Sequence, residues 1–205
     1  MPNHKLDLVV AFHPMRLQAV LTPDSSRHYV AEQFGWIPSI RTSCAPAGLG
    51  SILRVMGRLN GKMAVVLGAA GRGDMGQVIA QRFRDEDAQV VVSGRHMNEL
   101  ERFAAETQGY AVPCEIAKTE DLEALAKNAR MLMDSIFIAV NATGWGLLKP
   151  FLETTTEELG RITAIQFTGS FQFCQSMVRA MTGGDSLIQI SSATIMLNDH
   201  AWSSV

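Results

Sequence analysis

The chain has 205 residues, of which 47% are hydrophobic and 19% charged, so it can form one domain with a sizeable core and is not mainly disordered. Its net charge of −2 gives no basic signature for nucleic acid, and no apolar run approaches the roughly 20 residues that cross a bilayer. Its three cysteines lie far apart without metal-ligand spacing. This predicts free thiols, no metal site and a reducing compartment such as the cytoplasm.

The first 60 residues differ from the rest of the chain. They carry six Lys/Arg against three Asp/Glu, and prolines and glycines interrupt any long element. We expect residues 1–60 to be an irregular N-terminal extension with a short strand near 6–12; a targeting peptide is the alternative. Residues 61–205 are predicted to form the main domain.

From residue 61 onward, short apolar segments alternate with segments of helical periodicity. Strands are predicted over 63–67, 90–92, 110–114, 135–140 and 186–191. Helices are predicted over 77–83, 98–107, 119–132 and 156–182. This alternation predicts an α/β fold, a Rossmann-like doubly wound parallel sheet of five strands in three α/β/α layers. In such sheets ligands bind beyond the carboxyl ends of the strands.

A glycine-rich segment, Gly68–Gly76, joins the first of these strands to the first helix and holds four glycines. Glycine lets backbone N–H groups approach an anion closely, and the helix start adds unpaired N–H groups with partial positive charge. The segment therefore predicts a site for the pyrophosphate of a dinucleotide; a glycine-rich turn that binds nothing is the alternative. The expected contacts are Gly68, Ala70, Gly71, Arg72, Gly73, Met75 and Gly76.

Arg95 follows the second of these strands, 19 residues past Gly76. An acid at this place would bind the ribose 2′-hydroxyl of NAD, whereas an arginine can pair with the 2′-phosphate of NADP. Arg72 is expected to add a second positive charge, and Ser93 a further hydrogen bond. These residues predict NADP(H) in preference to NAD(H), the alternative being that both arginines are solvated surface residues.

Together these features resemble the short-chain dehydrogenase/reductase family, in the family order, from about residue 61 to 192. Leu67 stands where the family motif Thr-Gly-x-x-x-Gly-x-Gly begins, and the turn is two residues longer. The resemblance implies that adenine contacts Glu115 and Ile116. It also implies a cofactor-lining segment that consists of Asn141, Ala142, Thr143 and Gly144. It further implies that Ser192 is the catalytic serine and that Gln166 replaces the Asn of a proton relay.

The family mechanism also implies a Tyr acid/base and a Lys four residues later. The usual spacing of 13 after Ser192 falls on Val205, and the tyrosines are Tyr29 and Tyr110. We therefore expect a C-terminally truncated member whose NADP(H)-dependent chemistry acts on a small carbonyl or alcohol. The alternatives are a non-catalytic NADP(H)-binding module and an inactive truncated product.

The resemblance has two further implications for assembly. Family members are often dimers or tetramers, so a homo-oligomer through the long helix over 156–182 is expected. The strand over 186–191 lacks the neighbour that it has in the family. It is therefore expected to form an exposed, aggregation-prone edge of the sheet.

Overall fold

The computed structural model describes residues 7–13, 57–147, 150–181 and 185–192. Most of the predicted N-terminal extension, 1–6 and 14–56, lies outside these ranges, so its irregular structure and the domain boundary at residue 60 stay predictions.

The described residues form a series of strands and helices in which β1 precedes the alternating part of the chain. The strands are β1 (Asp7–His13), β2 (Met63–Leu67), β3 (Gln89–Gly94), β4 (Tyr110–Pro113), β5 (Ile138–Asn141) and β6 (Ser186–Ser192). The α-helices are α1 (Met75–Asp85), α2 (Met97–Thr107), α3 (Thr119–Met133), α4 (Thr156–Ile162) and α5 (Ser170–Ala180). A π-helical segment, Thr163–Gly169, joins α4 to α5, so the predicted long helix is continuous from Thr156 to Ala180.

The strands form one parallel sheet in the order β1-β6-β5-β2-β3-β4. This confirms the predicted doubly wound α/β fold. The chain runs outward from β2 through β3 to β4, then returns to the other side of β2 to add β5 and β6. The direction of winding therefore changes between β2 and β5, which is the place where doubly wound sheets open a crevice at their carboxyl edge.

β2 is buried on both faces and divides the core into two layers. Val65 and Leu67 belong to a cluster with residues of α3 and α5, including Leu122 and Phe173. The alternate residues Ala64 and Val66 belong to a second cluster with residues of α1 and α2. Because successive strand residues point to opposite faces, a continuous apolar run supplies both layers.

β1 pairs with β6 in parallel along the whole of both strands, from Asp7 beside Ser186 to His13 beside Ser192. The short strand predicted near 6–12 therefore joins the sheet. The prediction that residues 186–191 form an exposed edge is wrong, because β1 pairs with the side of β6 that would otherwise be open.

Candidate functional site

A cleft of about 360 Å³ opens at the carboxyl edge of the sheet. Its walls come from the glycine turn and from the segments that follow three other strands, residues 94–96, 114–116 and 142–145. Arg161 and Ile165 of the long helix complete it. The topology therefore brings together segments that are far apart in the sequence.

Most of the residues predicted to contact a cofactor lie in this cleft. Those in its wall are Gly68, Ala70, Gly71, Met75, Arg95, Glu115, Ile116, Ala142, Thr143 and Gly144. Six other predicted residues do not line the cleft, although each is a near neighbour in sequence of a lining residue or is in contact with one. They are Arg72, Gly73, Gly76, Ser93, Asn141 and Gln166. Ser192 ends β6, and its side chain lies outside the described part of the chain.

Two glycines of the turn are required by close backbone contacts. Gly68 has φ +98°, and a Cβ there would lie 2.7 Å from the carbonyl carbon of Ala142. A Cβ on Gly76 would lie 2.2 Å from the carbonyl oxygen of Gly68. The end of β2, the end of β5 and the start of α1 therefore touch through their backbones, which brings the N-terminus of α1 to the cleft.

Asp74 caps α1 with one carboxylate oxygen and holds the glycine turn with the other. Gln77 N–H donates to Oδ1 at 2.8 Å, and Gly71 N–H donates to Oδ2 at 2.7 Å. The Gln77 side chain reaches back to the turn, where its Oε1 accepts from Gly73 N–H at 2.9 Å. The turn is therefore held by its own side chains as well as by its glycines.

Arg95 and Glu115 face each other at the rim of the cleft. Arg95 Nε lies 3.8 Å from Glu115 Oε2, and the two side chains are 54% and 29% exposed. An exposed ion pair of this kind stabilises the fold by only about 0–1 kcal/mol. Because little free energy is lost when the pair separates, the Arg95 guanidinium can turn to another anion.

Ser93 lies beneath the glycine turn. Its side chain is fully buried and is not among the residues that line the cleft, and its hydrogen bond to a cofactor stays a prediction. The Ser93 carbonyl accepts from the N–H groups of Gly68 and Ala69, at 2.8 and 3.0 Å. Ser93 therefore holds the turn against β3.

Asn141 is also fully buried and connects four parts of the fold. Its Nδ2 donates to Ser170 Oγ at 3.2 Å and to Gln189 Oε1 at 3.1 Å. Its Oδ1 accepts from the backbone N–H of Thr143 at 3.0 Å and from the Thr143 hydroxyl at 2.6 Å. Asn141 thereby fixes the segment after β5 that lines the cleft.

The wall of the cleft also contains an aromatic and cationic pair that no sequence motif predicted. The Arg161 guanidinium lies 4.3 Å from the ring centroid of Trp145. Gln166 Nε2 donates to the Trp145 carbonyl at 3.3 Å, which places the predicted relay residue beside this part of the cleft wall. The only sequence signal was that Trp145 directly follows Gly144.

Cys114 lines the cleft, yet it is buried. Burial raises the pKa of its thiol to about 12. The thiol is therefore protonated at neutral pH and is not a nucleophile in this state.

Across the described ranges, no helix combines the length and apolar character needed to traverse a membrane.

Residues 68–204 match the profile of a family described as Enoyl-(Acyl carrier protein) reductase. The chain is 31% identical over 129 residues to an indene-carboxyl-CoA reductase of Mycobacterium tuberculosis, covering 60% of this chain and 49% of that protein. It is 30% identical over 149 residues to a protein of Lentilactobacillus kefiri named NADP-dependent (R)-specific alcohol dehydrogenase, covering 69% and 58%.

Among solved structures, a short chain dehydrogenase from Mycobacterium smegmatis superposes with a TM-score of 0.68 at 26% identity, covering 72% of this chain and 65% of that one. The chain spans about half the length of the curated relatives it matches. The profile match covers more than half of the chain, and the shared fold agrees with it. The chain belongs to the short-chain dehydrogenase/reductase family.

Proposed function

We propose that the chain binds NADP(H) and that its function is hydride exchange between this cofactor and a small carbonyl or alcohol substrate. One observation carries the proposal: the glycine turn at the start of α1 and the guanidinium of Arg95 line one cleft at the carboxyl edge of a parallel sheet. A helix start attracts a pyrophosphate, and a planar guanidinium suits a phosphate monoester.

The residues present fit a dinucleotide. Backbone contacts leave no room for a Cβ on Gly68 or Gly76, and the cleft volume lies within the range of small-molecule sites. We assign the 2′-phosphate to Arg95 and the adenine to Glu115 and Ile116, with the nicotinamide end at residues 142–144. When bound, the cofactor supplies or accepts the hydride. The named specificity of the Lentilactobacillus kefiri relative supports NADP(H) over NAD(H).

We assign the substrate to the part of the cleft near Trp145. Ser192, at the end of β6, is proposed to hold the substrate oxygen. Gln166, through the amide that donates to the Trp145 carbonyl, is proposed to orient the proton relay. Both assignments rest on the family resemblance. The reaction needs such groups, because hydride arrival leaves an alkoxide that must be stabilised and protonated.

Titration with NADPH and NADH, followed by nicotinamide fluorescence, tests the cofactor assignment. We expect NADPH to bind more tightly than NADH. Arg95→Ala should weaken NADPH about tenfold or more and leave NADH unchanged, since a charge-assisted hydrogen bond is lost only with the 2′-phosphate. The matched control is Arg82→Ala, because Arg82 pairs with Glu86 outside the cleft. If Arg95→Ala lost equal affinity for NADPH and NADH, or lost none for either, the assignment of the 2′-phosphate to Arg95 would be rejected.

A second candidate function is NADP(H) binding without turnover. The family mechanism implies a tyrosine as acid/base. Tyr110, the tyrosine within the described residues, begins β4 and therefore lies at the amino edge of the sheet, opposite the cleft, which favours binding without turnover. Loss of nicotinamide absorbance with a panel of carbonyl substrates separates the two functions. Tight binding without turnover of any of them would favour the binding module.

We also propose a homo-oligomer through the long helix over 156–182, in the cytoplasm. Phe167, Phe171 and Val178 follow one another at intervals of four and seven residues and are 73%, 58% and 45% exposed. Such a stripe on a helix is an apolar surface suited to a second copy of the chain.

The free thiols of Cys114 and Cys174 support the proposal of a reducing compartment.

A further inference from the structure

The glycine turn already holds an anion that belongs to the protein itself. The Asp74 carboxylate accepts the N–H groups of Gly71 and Gln77, at 2.7 and 2.8 Å. These donors belong to the turn and to the first turn of α1, where a phosphate would otherwise bind. An incoming pyrophosphate must therefore compete with Asp74 for the same hydrogen atoms.

A neighbouring donor of the turn is also engaged. Gly73 N–H donates to Gln77 Oε1 at 2.9 Å. The Gln77 amide nitrogen donates to the Ala69 carbonyl at 3.2 Å and to Glu99 Oε1 at 3.0 Å, and Gln77 is buried. Because this amide is fixed on three sides, Gly73 N–H stays engaged, and the N–H groups of Gly71 and Gln77 become available to an anion only if Asp74 yields.

The titratable and charged groups around Asp74 come from four parts of the fold. Glu99 of α2 is negative at neutral pH, since hydrogen bonds from Arg102 and Gln77 lower the pKa of its carboxyl to about 2. Arg72 in the turn lies close enough to Glu99 to interact with it. Arg95 and His96 after β3, and Arg161 of α4, line the same cleft as Asp74. Glu99 thus adds negative potential at the turn, whereas Arg72 in the turn and Arg95 and Arg161 in the cleft wall add positive charge.

This environment makes the charged form of Asp74 costly. Burial raises the pKa of its carboxyl, and Glu99 raises it further, against the lowering effect of the backbone hydrogen bonds. A pyrophosphate bound beside it would add negative charge and raise the pKa again. Binding of an anion and uptake of a proton by Asp74 therefore favour each other.

On the basis of the proposed function, we propose that Asp74 is an internal competitor of the cofactor pyrophosphate. The dinucleotide binds when the Asp74 carboxylate is neutralised or gives up the N–H groups of Gly71 and Gln77. Asp74 thereby sets the affinity of the cleft for dinucleotides and makes it depend on pH. Affinity is expected to rise as pH falls, because the protonated carboxyl no longer repels phosphate.

Calorimetric titration with NADP⁺ tests this for the full chain, between about pH 8 and about pH 5. Asp74→Asn keeps the shape and one acceptor oxygen but removes the charge. It should bind about tenfold more tightly than wild type at the upper pH, and the difference should shrink as pH falls. Titrations in two buffers of different ionisation enthalpy should show that wild type takes up more protons on binding than Asp74→Asn does.

The control variant is Asp85→Asn, at the other end of α1 and outside this cleft, which should bind like wild type at every pH. The cofactor's own 2′-phosphate titrates equally for all variants, so the difference between variants isolates Asp74. Asp74→Ser, which keeps a helix-capping side chain, replaces Asp74→Asn if thermal melting shows that the amide variant is unfolded.

The outcomes separate the two proposals. If wild type and Asp74→Asn bind equally at all pH values with equal proton uptake, the role of Asp74 is overturned and cofactor binding stands. If Asp74→Asn binds and wild type does not, the role of Asp74 is supported and the proposed function fails for the native chain. If neither variant binds at millimolar cofactor, both proposals are rejected.

Discussion

Gly76 shows how a single hydrogen atom in place of a side chain shapes the site. A Cβ at this position would lie 2.2 Å from the Gly68 oxygen and 2.5 Å from the Gly68 carbon. Gly68 has little room to move away, because the space beside it is filled by the backbone of Ala142 and Thr143, which a Cβ on Gly68 would approach to 2.7–2.8 Å. A side chain at Gly76 would therefore separate α1 from both strands that form the crevice.

Gly76→Ala is expected to lower the free energy of unfolding by about 2–3 kcal/mol, because the backbone must shift to accept the methyl group. Gly146→Ala adds the same methyl group where nothing lies within 4 Å, and should change stability by less than about 0.5 kcal/mol. Urea denaturation followed by circular dichroism measures both. Similar effects of the two substitutions would contradict the close contact of α1 with the turn.

The residues of the site were predictable where one segment carries the signal. The glycines between a strand and a helix, and an arginine after the next strand, are local patterns, and both lie in the cleft. The occupation of Gly71 N–H by Asp74 and the stacking of Arg161 on Trp145 were not predicted. The first depends on a side-chain rotamer and the second on the packing of distant segments, and neither leaves a periodic signal in the sequence.

The long helix is the element that links the cleft to the surface of the protein. Its π-helical segment includes Gln166 beside the cleft and ends at Gly169. A Cβ on Gly169 would lie 2.5 Å from the carbonyl oxygen of Ile116, so the helix backbone lies directly against the loop after β4. The opposite surface carries the exposed side chains of Phe167 and Phe171.

Phe171→Asp is expected to shift the proposed oligomer toward monomer, because it places a charge in the apolar stripe of the helix. Sedimentation velocity at micromolar protein measures the shift. Met131→Asp, which changes an apolar side chain that is 73% exposed on α3, is the control and should leave assembly unchanged. A wild-type chain that is already monomeric under these conditions would reject the proposed interface.

Helices and strands were predicted well where burial gives a clear period. The run Met63–Leu67 is apolar throughout because β2 is buried on both faces, and its bounds agree with the prediction. The end of α2 was less predictable. Gly109 is typical of a helix C-terminus, but the left-handed residue is Gln108, with φ +53°. Gly109 is instead needed because a Cβ would lie 2.8 Å from the Val90 carbonyl.

At the scale of the whole molecule, β1 determines how the sheet ends. Its sequence indicates a short strand, but nothing local specifies its partner, since parallel pairing joins segments through distant connections. The structure pairs it with β6, the described strand that lies furthest from it in sequence. The sheet edge that the family resemblance left open is therefore occupied by the start of the chain.

Single proline substitutions in β1 test this pairing. In an edge strand, successive N–H groups point alternately toward the partner strand and away from it. Of Val9→Pro and Val10→Pro, one should therefore remove a hydrogen bond to β6, lower the melting temperature and promote aggregation, while the other should have a smaller effect. Light scattering during a thermal melt measures both effects. Two variants that melt and scatter like wild type would contradict a stabilising role of β1.

The pairing of β1 with β6 also has a consequence for biosynthesis. Among the described elements the ribosome makes β1 first and β6 last, so β1 has no partner while all the elements between them emerge. Closing so long a loop is slow, and an unpaired apolar strand is a target for chaperones during the wait. Final closure of the sheet is therefore expected only after translation of β6, as a late step in the maturation of this protein.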